Sequence, residues 1–430
     1  MNHSRRTFLG AAGAFAATGF LAGCAGFSRP ASSSGANELT FTTWGSEAEE
    51  AGFRSGIAAF EKANPGSSVT LNLVPYEQMF ENIDAQLQSG TAPDVFRVDY
   101  GNLGVYSSQD QLLDLGPYVD EDAADAFIPA FWRAVQYDGT PYGMPHQTDT
   151  SAVLYNRAMF EAAGITSVPD TLESAWTWEE FEQVAQQLRD QLPADRYPFA
   201  YNWQQAGVTR WLSWLFQAGG RYLGDDLTTP AIDSPEGRAA LDFTKSFFEK
   251  DFVPANSSVK SSTYASDSFY SETAAMLFAG NFLLPDVEGL ADFEWGATYM
   301  PRNVRGASDL GGNALVATAS TEKADLAAQF LAFMVSEEQM RDFCAATTEL
   351  PTLQSLVGAD IDFATRPDVM PIFVEQATTI QESDVAQLSS PDMAAINTVL
   401  SDQLELAFTQ GQGTEETLAK ISEGIAAATA

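Results

Sequence analysis

Aromatic and amide side chains occur together most densely at residues 201–205, which read Tyr-Asn-Trp-Gln-Gln. An aromatic face can stack on the weakly apolar C–H face of a sugar ring, and planar amides and carboxylates can bond its hydroxyl groups. Trp203 and Gln204 are therefore candidate ligand-binding residues, with Trp203 expected to be a stacking platform. Trp211 and Trp214 lie within the helix predicted next and are expected in the core.

Two predicted strands end in a combination of aromatic and acidic side chains. Trp44 ends the first of these strands and Glu47 lies at the start of the following helix, while Asp99 and Tyr100 end the other strand. The carboxyl ends of parallel strands meet at one edge of a sheet, where α/β proteins bind ligands. We expect these four side chains to face a cleft, although Trp44 could instead cap the core.

A polar run and a glycine pair supply further candidates. The run His-Gln-Thr-Asp at 146–149 lies between two apolar segments, and its Gln147 and Asp149 either contact ligand or form a solvated hinge. Gly311 and Gly312 precede another predicted strand. Because they lack side chains, they could let a ligand approach the main chain closely, or they could form an ordinary turn.

The first residues are typical of a bacterial export signal. Arg5 and Arg6 precede a short apolar stretch that falls below the roughly 20 residues a membrane span needs. It ends in Leu-Ala-Gly-Cys, which resembles a lipobox whose Cys24 is acylated after cleavage. We predict a twin-arginine lipoprotein signal at 1–23 and a flexible tether at 24–37, which would anchor the protein to the extracytoplasmic face of the cell membrane.

Composition excludes several classes of function. The 430 residues include 58 acidic and 22 basic side chains, a formal net charge of −36. Phosphate backbones would repel such a surface, so no nucleic-acid partner is expected, and the acidity is interpreted as solubility or salt adaptation. If Cys24 carries lipid, Cys344 has no disulfide partner and is expected to be a small core residue. Since His3 lies in the signal, only His146 remains, and neither a metal site nor a cofactor is expected.

Strand and helix patterns alternate along the chain. The order β-α-β-α-β over residues 38–99 predicts an open, mostly parallel sheet covered by helices. A second set of strands and helices begins near Ser151. About 390 residues follow the tether, which is more than one core usually supports, so two lobes are predicted.

Six short segments, taken in order, resemble those of one known family. They are APDVF at 92–96, YGMPHQTDTSAVLYN at 142–156, AAMLFAGN at 274–281, GGN at 311–313, SEEQM at 336–340 and LPT at 350–352. Together they resemble family 1 extracellular solute-binding proteins, the carbohydrate receptors of ABC importers. The resemblance covers residues 37–430, and its strength lies in the ordered set rather than in any one motif.

The resemblance implies an α/β, two-lobed type II periplasmic-binding-protein-like fold with a multi-segment hinge. Ligand would lie in the cleft between the lobes. Lobe 1 would comprise 38–147 and 308–336, lobe 2 would comprise 148–307 and 337–430, and the chain would cross between them near 145–149, 301–309 and 335–337.

The resemblance also implies a function. Asn281 and Phe282, which follow the AAMLFAG segment, would belong to a ligand loop. The protein would be a monomer and not an enzyme. It would capture a mono- or oligosaccharide and deliver it to a membrane permease with its ATPase.

Three other functions stay open on sequence alone. A secreted glycoside hydrolase needs two carboxylates roughly 5–9 Å apart, and among 58 acidic residues some pair always meets that condition. A metal or anion receptor is disfavoured by the scarcity of His, Cys, Lys and Arg. A surface lipoprotein without a ligand is the third.

Overall fold

The computed structural model describes residues 35, 37–120, 123–309 and 311–430, with only the backbone described at 205 and 206. Cys24, the predicted signal and nearly all of the predicted tether lie outside these residues. The strands are β1 (Glu38–Thr43), β2 (Ser68–Leu73), β3 (Val95–Asp99), β4 (Gln136–Tyr137), β5 (Thr140–Pro141), β6 (Gly143–Gln147), β7 (Ser151–Asn156), β8 (Tyr197–Tyr201), β9 (Ala274–Gly280), β10 (Trp295–Thr298) and β11 (Asn313–Ala317).

Helices of varied length connect and cover these strands. They are α1 (Glu47–Ala63), α2 (Tyr76–Ser89), α3 (Tyr100–Ser107), α4 (Ala123–Ala126), α5 (Pro129–Ala134), α6 (Arg157–Ala162), α7 (Trp178–Gln191), α8 (Leu212–Gln217), α9 (Pro235–Glu249), α10 (Ala265–Tyr270), α11 (Leu284–Leu290), α12 (Ala324–Met334), α13 (Glu337–Thr347), α14 (Met370–Ala377), α15 (Glu382–Leu388), α16 (Met393–Thr409) and α17 (Thr414–Ala428). Short 3-10 turns lie at Gly116–Tyr118, Gln205–Trp211, Asn281–Leu283 and Gln354–Leu356. None of the helices described is long and apolar enough to cross a membrane.

The first sheet has the strand order β2-β1-β3-β11-β6. β1 pairs in parallel with β2 and β3, whereas β11 is antiparallel to both β3 and β6. The predicted β-α-β-α-β alternation over residues 38–99 is confirmed. Ser46 and Glu49 start α1 with a reciprocal capping box, and α1 then buries Phe53, Ile57 and Phe60 against the sheet.

The second sheet has the strand order β10-β7-β9-β8. All seven residues of the central strand β9 are buried, as expected for a strand covered on both faces. Apolar clusters lie on both faces, one including Phe181, Phe199 and Trp214 and the other including Phe269 and Phe373. The two sheets, each with its own core, make the two lobes of an α/β protein.

The predicted chain crossing near 335–337 is wrong, and so is the lobe boundary at 336. α13 packs against α1, and its Met340, Phe343 and Cys344 join the apolar cluster of the first sheet. A β-carbon at Gly52 would lie 2.8 Å from the ring of Phe343, so this glycine lets the two helices approach closely. The chain therefore stays in the first lobe through α13. Cys344 is a buried free thiol in that core, as predicted.

Candidate functional site

The first lobe presents the carboxyl ends of its strands to a cleft. β1 is followed there by Trp44, and β3 ends at Asp99. Because β11 runs antiparallel, its first residue Asn313 pairs with Asp99 on one side and with Gln147, the last residue of β6, on the other. Three neighbouring strands thus place polar side chains at one edge, where ligands bind in open α/β sheets.

The second lobe presents the corresponding edge of its own sheet. The start of β7 at Ser151 pairs with the end of β9 at Gly280, and β8 ends alongside at Tyr201. The residues that follow these strand ends include Gln204 and Phe282. Both line a cavity of about 460 Å³ that also contacts Trp44 and Asp99 of the first lobe. The volume lies within the roughly 300–1,000 Å³ of ligand pockets.

Segments that connect the lobes border this cavity. Thr148 and Leu350 form an antiparallel bridge with backbone hydrogen bonds of 2.8 and 2.9 Å. The hydroxyl of Thr148 donates to the carbonyl of Gly311 at 3.1 Å. These contacts hold the segments at 147–151, 308–313 and 348–350 side by side, and they form the hinge of the described chain.

Each of the three hinge segments carries one buried carboxyl group: Asp149, Asp309 and Glu349. Arg210 of the second lobe lies 3.0 Å from Asp309 and 3.7 Å from Asp149. Arg97 of the first lobe lies 4.0 Å from Glu349. The hinge is therefore a buried cluster of opposite charges that receives one guanidinium from each lobe.

Burial decides the protonation of these hinge carboxyls. It raises the pKa of Asp149 to about 7; the nearby Arg210 opposes this rise and the charge of Asp309 adds to it. Burial raises the pKa of Glu349 well above its usual range, and the charge of Asp149 raises it further. Because negative charges on Asp149 and Glu349 would repel each other, this pair of hinge carboxyl groups retains a proton in the neutral pH range.

Arg97 organises the floor of the cleft on the first lobe. It is 1% exposed, lies 2.7 Å from Glu49 and donates to the carbonyl of Trp44 at 3.1 Å. Its guanidinium also lies 4.7 Å from the centre of the Trp44 ring. With its amide oriented by its hydrogen-bond partners, Asn313 accepts from Arg97 at 3.0 Å and donates to Asp99 at 2.7 Å. Arg97 therefore fixes the indole and the polar groups of the floor.

Aromatic rings enter the cavity from both lobes. Trp44 and Tyr76 of the first lobe have ring centres 5.2 Å apart, and the Tyr76 hydroxyl donates to Asp99 at 2.8 Å. On the second lobe the ring of Phe282 lies 5.4 Å from the guanidinium of Arg210, and Tyr264 is the other aromatic lining residue. Flat apolar faces thus alternate with hydrogen-bonding groups, as they do in sites for polyhydroxylated ligands.

This arrangement has counterparts among known proteins. Residues 44–341 match the family model of bacterial extracellular solute-binding proteins. The chain belongs to this family. The resemblance found in the sequence is confirmed, and proteins of the family bind solutes and are not enzymes.

Curated relatives of this solute-binding protein cover most of its length. The arabinooligosaccharide-binding protein of Bacillus subtilis is 25% identical over 336 residues, 74% of this chain and 73% of that protein. The maltodextrin-binding protein of the same organism is 26% identical over 356 residues, 79% of each chain.

Solved structures share the fold. A substrate-binding protein of Listeria monocytogenes in complex with cycloalternan has a TM-score of 0.78 at 22% identity, covering 90% of this chain and 97% of that one. The Thermus thermophilus maltotriose-binding protein bound with maltotriose has a TM-score of 0.72 at 20% identity, covering 91% and 100%. The two-lobed type II periplasmic-binding-protein-like fold predicted from the sequence is confirmed.

The structure brings most of the predicted site residues of this solute-binding protein to one cavity. The predicted residues that line it are Trp44, Asp99, Tyr100, Asp149, Gln204, Phe282, Gly311 and Gly312. Lining residues that the sequence reasoning missed include Tyr76, Arg97, Arg210, Tyr264, Asp286 and Glu349.

Trp203 is not a stacking platform, which corrects the prediction. Its ring is fully buried, stacks on Tyr201 at 4.5 Å and on Phe408 at 5.1 Å, and donates to the carbonyl of Ser257 at 2.9 Å. After β8 the chain turns this side chain inward, beneath the helices of the second lobe. Trp211 and Trp214 are fully buried as expected.

Three other predicted residues do not line the cavity. Glu47 is exposed at the start of α1, two residues before the buried Glu49 and therefore on the other side of the helix. Gln147 is fully buried and donates to Glu349 at 3.2 Å. Asn281 is also fully buried; it accepts from the backbone of Thr150 at 2.7 Å and donates to the carbonyl of Thr348 at 2.9 Å. Gln147 and Asn281 therefore hold hinge segments together.

No group of three or more His, Cys, Asp or Glu side chains among the described residues is arranged to hold a metal ion.

Proposed function

We propose that this solute-binding protein captures an oligosaccharide between its lobes and delivers it to the permease and ATPase subunits of an ABC importer. The relatives named for arabinooligosaccharides and maltodextrins support this ligand class. A monosaccharide is the smaller alternative.

The observation that carries the proposal is the lining of the cleft. Trp44 and Tyr76 on one lobe and Phe282 and Tyr264 on the other supply aromatic faces. Carboxylates and amides stand between these faces at the strand ends. A chain of sugar rings presents the matching alternation of C–H faces and hydroxyl groups, which a hydrophobic solute or a bare ion does not.

Capture would operate by closure of the two lobes around the hinge. A ligand that contacts both lobes binds the closed form more tightly than the open form, and this difference in affinity drives closure. Tyr264 of the second lobe donates to Glu77 of the first across the mouth of the cleft. This contact supports a closed form in which the lobes meet, and the closed monomer would then dock on the permease.

Export and anchoring belong to the same proposal. Arg5, Arg6 and Cys24 would direct twin-arginine export and acylation, with residues 24–37 as the tether. Substituting Cys24→Ser should abolish labelling by radioactive palmitate and release the protein from the membrane. Replacing both arginines by lysine should keep the protein inside the cell. Palmitate labelling that persists in Cys24→Ser would refute the anchor.

Calorimetric titration with arabinotriose, maltotriose and galactotriose tests the ligand class. We expect saturable binding to at least one, weakened by Trp44→Ala and by Phe282→Ala. Tyr118→Ala is the control, since Tyr118 is an aromatic residue 38% exposed outside the cavity. If none of the glycans bound, the proposal would be refuted. Release of reducing sugar during incubation would identify a hydrolase instead.

A further inference from the structure

The cleft carries more carboxyl groups than cationic groups. Its charged lining residues include the guanidiniums of Arg97 and Arg210. The acidic lining residues are Glu49, Asp99, Asp149, Asp286 and Glu349. The lining therefore favours a ligand that is not negatively charged.

Both guanidiniums are already engaged by the protein. Arg97 is 1% exposed and lies 2.7 Å from Glu49. Arg210 lies 3.0 Å from Asp309 and 3.7 Å from Asp149. An anionic ligand would have to compete with these carboxylates for its counter-charge, and removing one partner of a buried ion pair is costly.

Asp286 differs from the other carboxyls of the cleft. It lies in the first turn of α11 in the second lobe, is exposed to the cavity, and has neither a hydrogen bond nor an ion pair with any described residue. Burial raises its pKa, and so does the charge of Glu49 on the opposite lobe. Glu49 and Asp286 thus line the cavity from opposite lobes, and Glu49 is paired with Arg97 whereas Asp286 is not paired with any described residue.

A second carboxyl group lines the same cavity. Asp149 is 5% exposed, and its Oδ1 atom lies 3.7 Å from Arg210 and accepts no hydrogen bond from the described residues. The rings of Phe282 and Tyr264, on the same lobe as Asp286, line the cavity as well. A cation beside an aromatic face is attracted by the ring, and a buried acceptor without a donor is costly unless the ligand supplies one.

We infer that the cleft selects an oligosaccharide bearing a protonated amine and that Asp286 determines this selectivity. The inference rests on the proposed function of oligosaccharide capture and specifies the class of sugar. The ammonium group lies against Asp286, the lining carboxylate that no described residue pairs with. Glycans that carry carboxylate, sulfate or phosphate groups are rejected, because no unpaired cation in the described lining receives them.

The test compares three trisaccharides of different charge by calorimetric titration at about pH 6, where sugar amines are largely protonated and the carboxylates of trigalacturonate are ionised. Chitotriose carries an amine on every ring, so one amine can meet Asp286 in any register. Its fully N-acetylated form has the same skeleton without charge, and trigalacturonate is anionic. Asp286→Asn removes the carboxylate at nearly constant shape. Asp292→Asn is the control, since Asp292 follows α11, is exposed and lies outside the cleft.

We expect wild-type protein to bind chitotriose about tenfold more tightly than the acetylated form, and trigalacturonate not at all, as one charge-assisted contact predicts. Asp286→Asn should abolish that preference, and Asp292→Asn should retain it. The ratio of the affinities for chitotriose and its acetylated form should also decrease as the salt concentration is raised. An equal or greater affinity for the acetylated or anionic sugar would overturn the inference, and so would a preference that survives in Asp286→Asn. Binding of neutral sugars alone refutes this inference but not oligosaccharide capture, whereas absence of binding to every glycan refutes both.

Discussion

The α-carbon of Gly311 lies against the carboxylate of Asp149, so that a β-carbon at position 311 would come within 2.0 Å of Oδ1. Gly311 does not have a left-handed φ, so alanine fits the backbone, and the three atoms nearest to the added β-carbon all belong to the Asp149 carboxylate. We predict that Gly311→Ala displaces this carboxylate and lowers oligosaccharide affinity about tenfold, or about 1.4 kcal/mol. Calorimetric titration measures the affinity. Denaturant unfolding should show a stability cost of about 1–3 kcal/mol, as for an overpacked site.

A double-mutant cycle isolates the cause of the Gly311→Ala effect. In an Asp149→Ala background the obstructing carboxylate is absent, so Gly311→Ala should then cost little stability. Gly289→Ala is the control, because a β-carbon at Gly289 meets no atom within 4 Å. If Gly311→Ala costs the same in both backgrounds, the contact with Asp149 is not its cause.

The raised pKa of Asp149 predicts how stability depends on pH. Because burial raises its pKa to about 7 in the folded protein, the folded state holds a proton that the unfolded chain, with a pKa of about 3.9, releases. The stability from this group is therefore fully present below about pH 4 and is lost as pH rises through about 7.

Asp149→Asn cannot titrate, so comparison with wild type reports the titration of Asp149 together with its effect on Glu349 and separates both from the more distant acidic residues. Denaturant unfolding at a series of pH values should show the wild type losing stability relative to the variant as pH rises. A difference of one unit in pKa between the folded and unfolded states corresponds to about 1.4 kcal/mol. We therefore expect the free energy of unfolding of the wild type to fall by more than about 1 kcal/mol relative to that of Asp149→Asn. A constant difference, or one that grows in favour of the wild type, would contradict the assignment.

Local sequence patterns predicted one part of the site and not the rest. Trp44, Asp99 and Tyr100 were placed correctly at the cleft because strand ends follow from short alternating runs and from the βα order. Arg97 was missed because it lies inside β3, where an apolar residue is the usual choice. Its role depends on partners such as Asn313, which approaches only when a segment distant in sequence pairs with β3.

The errors have a common physical origin. An amphipathic helix shows which of its faces is buried but not which sheet it packs on, and α13 was therefore assigned to the wrong lobe.

The environment of α13 also explains an unusual histidine. His146 is fully buried, with its ring 5.4 Å from that of Phe53 and 4.5 Å from that of Phe343.

His146 serves as an apolar ring in the core of the first lobe. Neither of its ring nitrogens has a hydrogen-bond partner, and burial, aided by the charge of Arg97, lowers its pKa to about 3. We predict that His146→Phe stabilises the protein by about 1 kcal/mol, because it removes an unpaired buried donor. The gain should grow as pH falls from about 8 to 5, because the histidine of the unfolded chain takes up a proton near pH 6.5 while the buried ring stays neutral. A loss of stability in urea unfolding would show that the ring has a partner or that the site rejects the larger ring; His146→Leu distinguishes these cases.

Trp44 and Trp203 should give opposite results on substitution. Trp44 lines the cleft and is partly exposed, whereas Trp203 is fully buried between Tyr201 and Phe408. Trp44→Ala should weaken oligosaccharide binding by about 1 kcal/mol, the scale of one aromatic contact. It should lower the free energy of unfolding by less than the roughly 3–5 kcal/mol of a buried tryptophan, because the ring is only partly buried against Tyr76 and Arg97.

Trp203→Phe keeps a stacked ring but loses the hydrogen bond to Ser257 and some volume, and it should cost about 1–3 kcal/mol of stability. Where the variant is still folded, its sugar affinity should equal that of the wild type, because Trp203 does not contact the cleft. Paired unfolding and titration measurements on both variants test the assignment. A large loss of affinity in Trp203→Phe with unchanged stability would return this residue to the binding site and would place the second lobe's aromatic platform there instead of at Phe282.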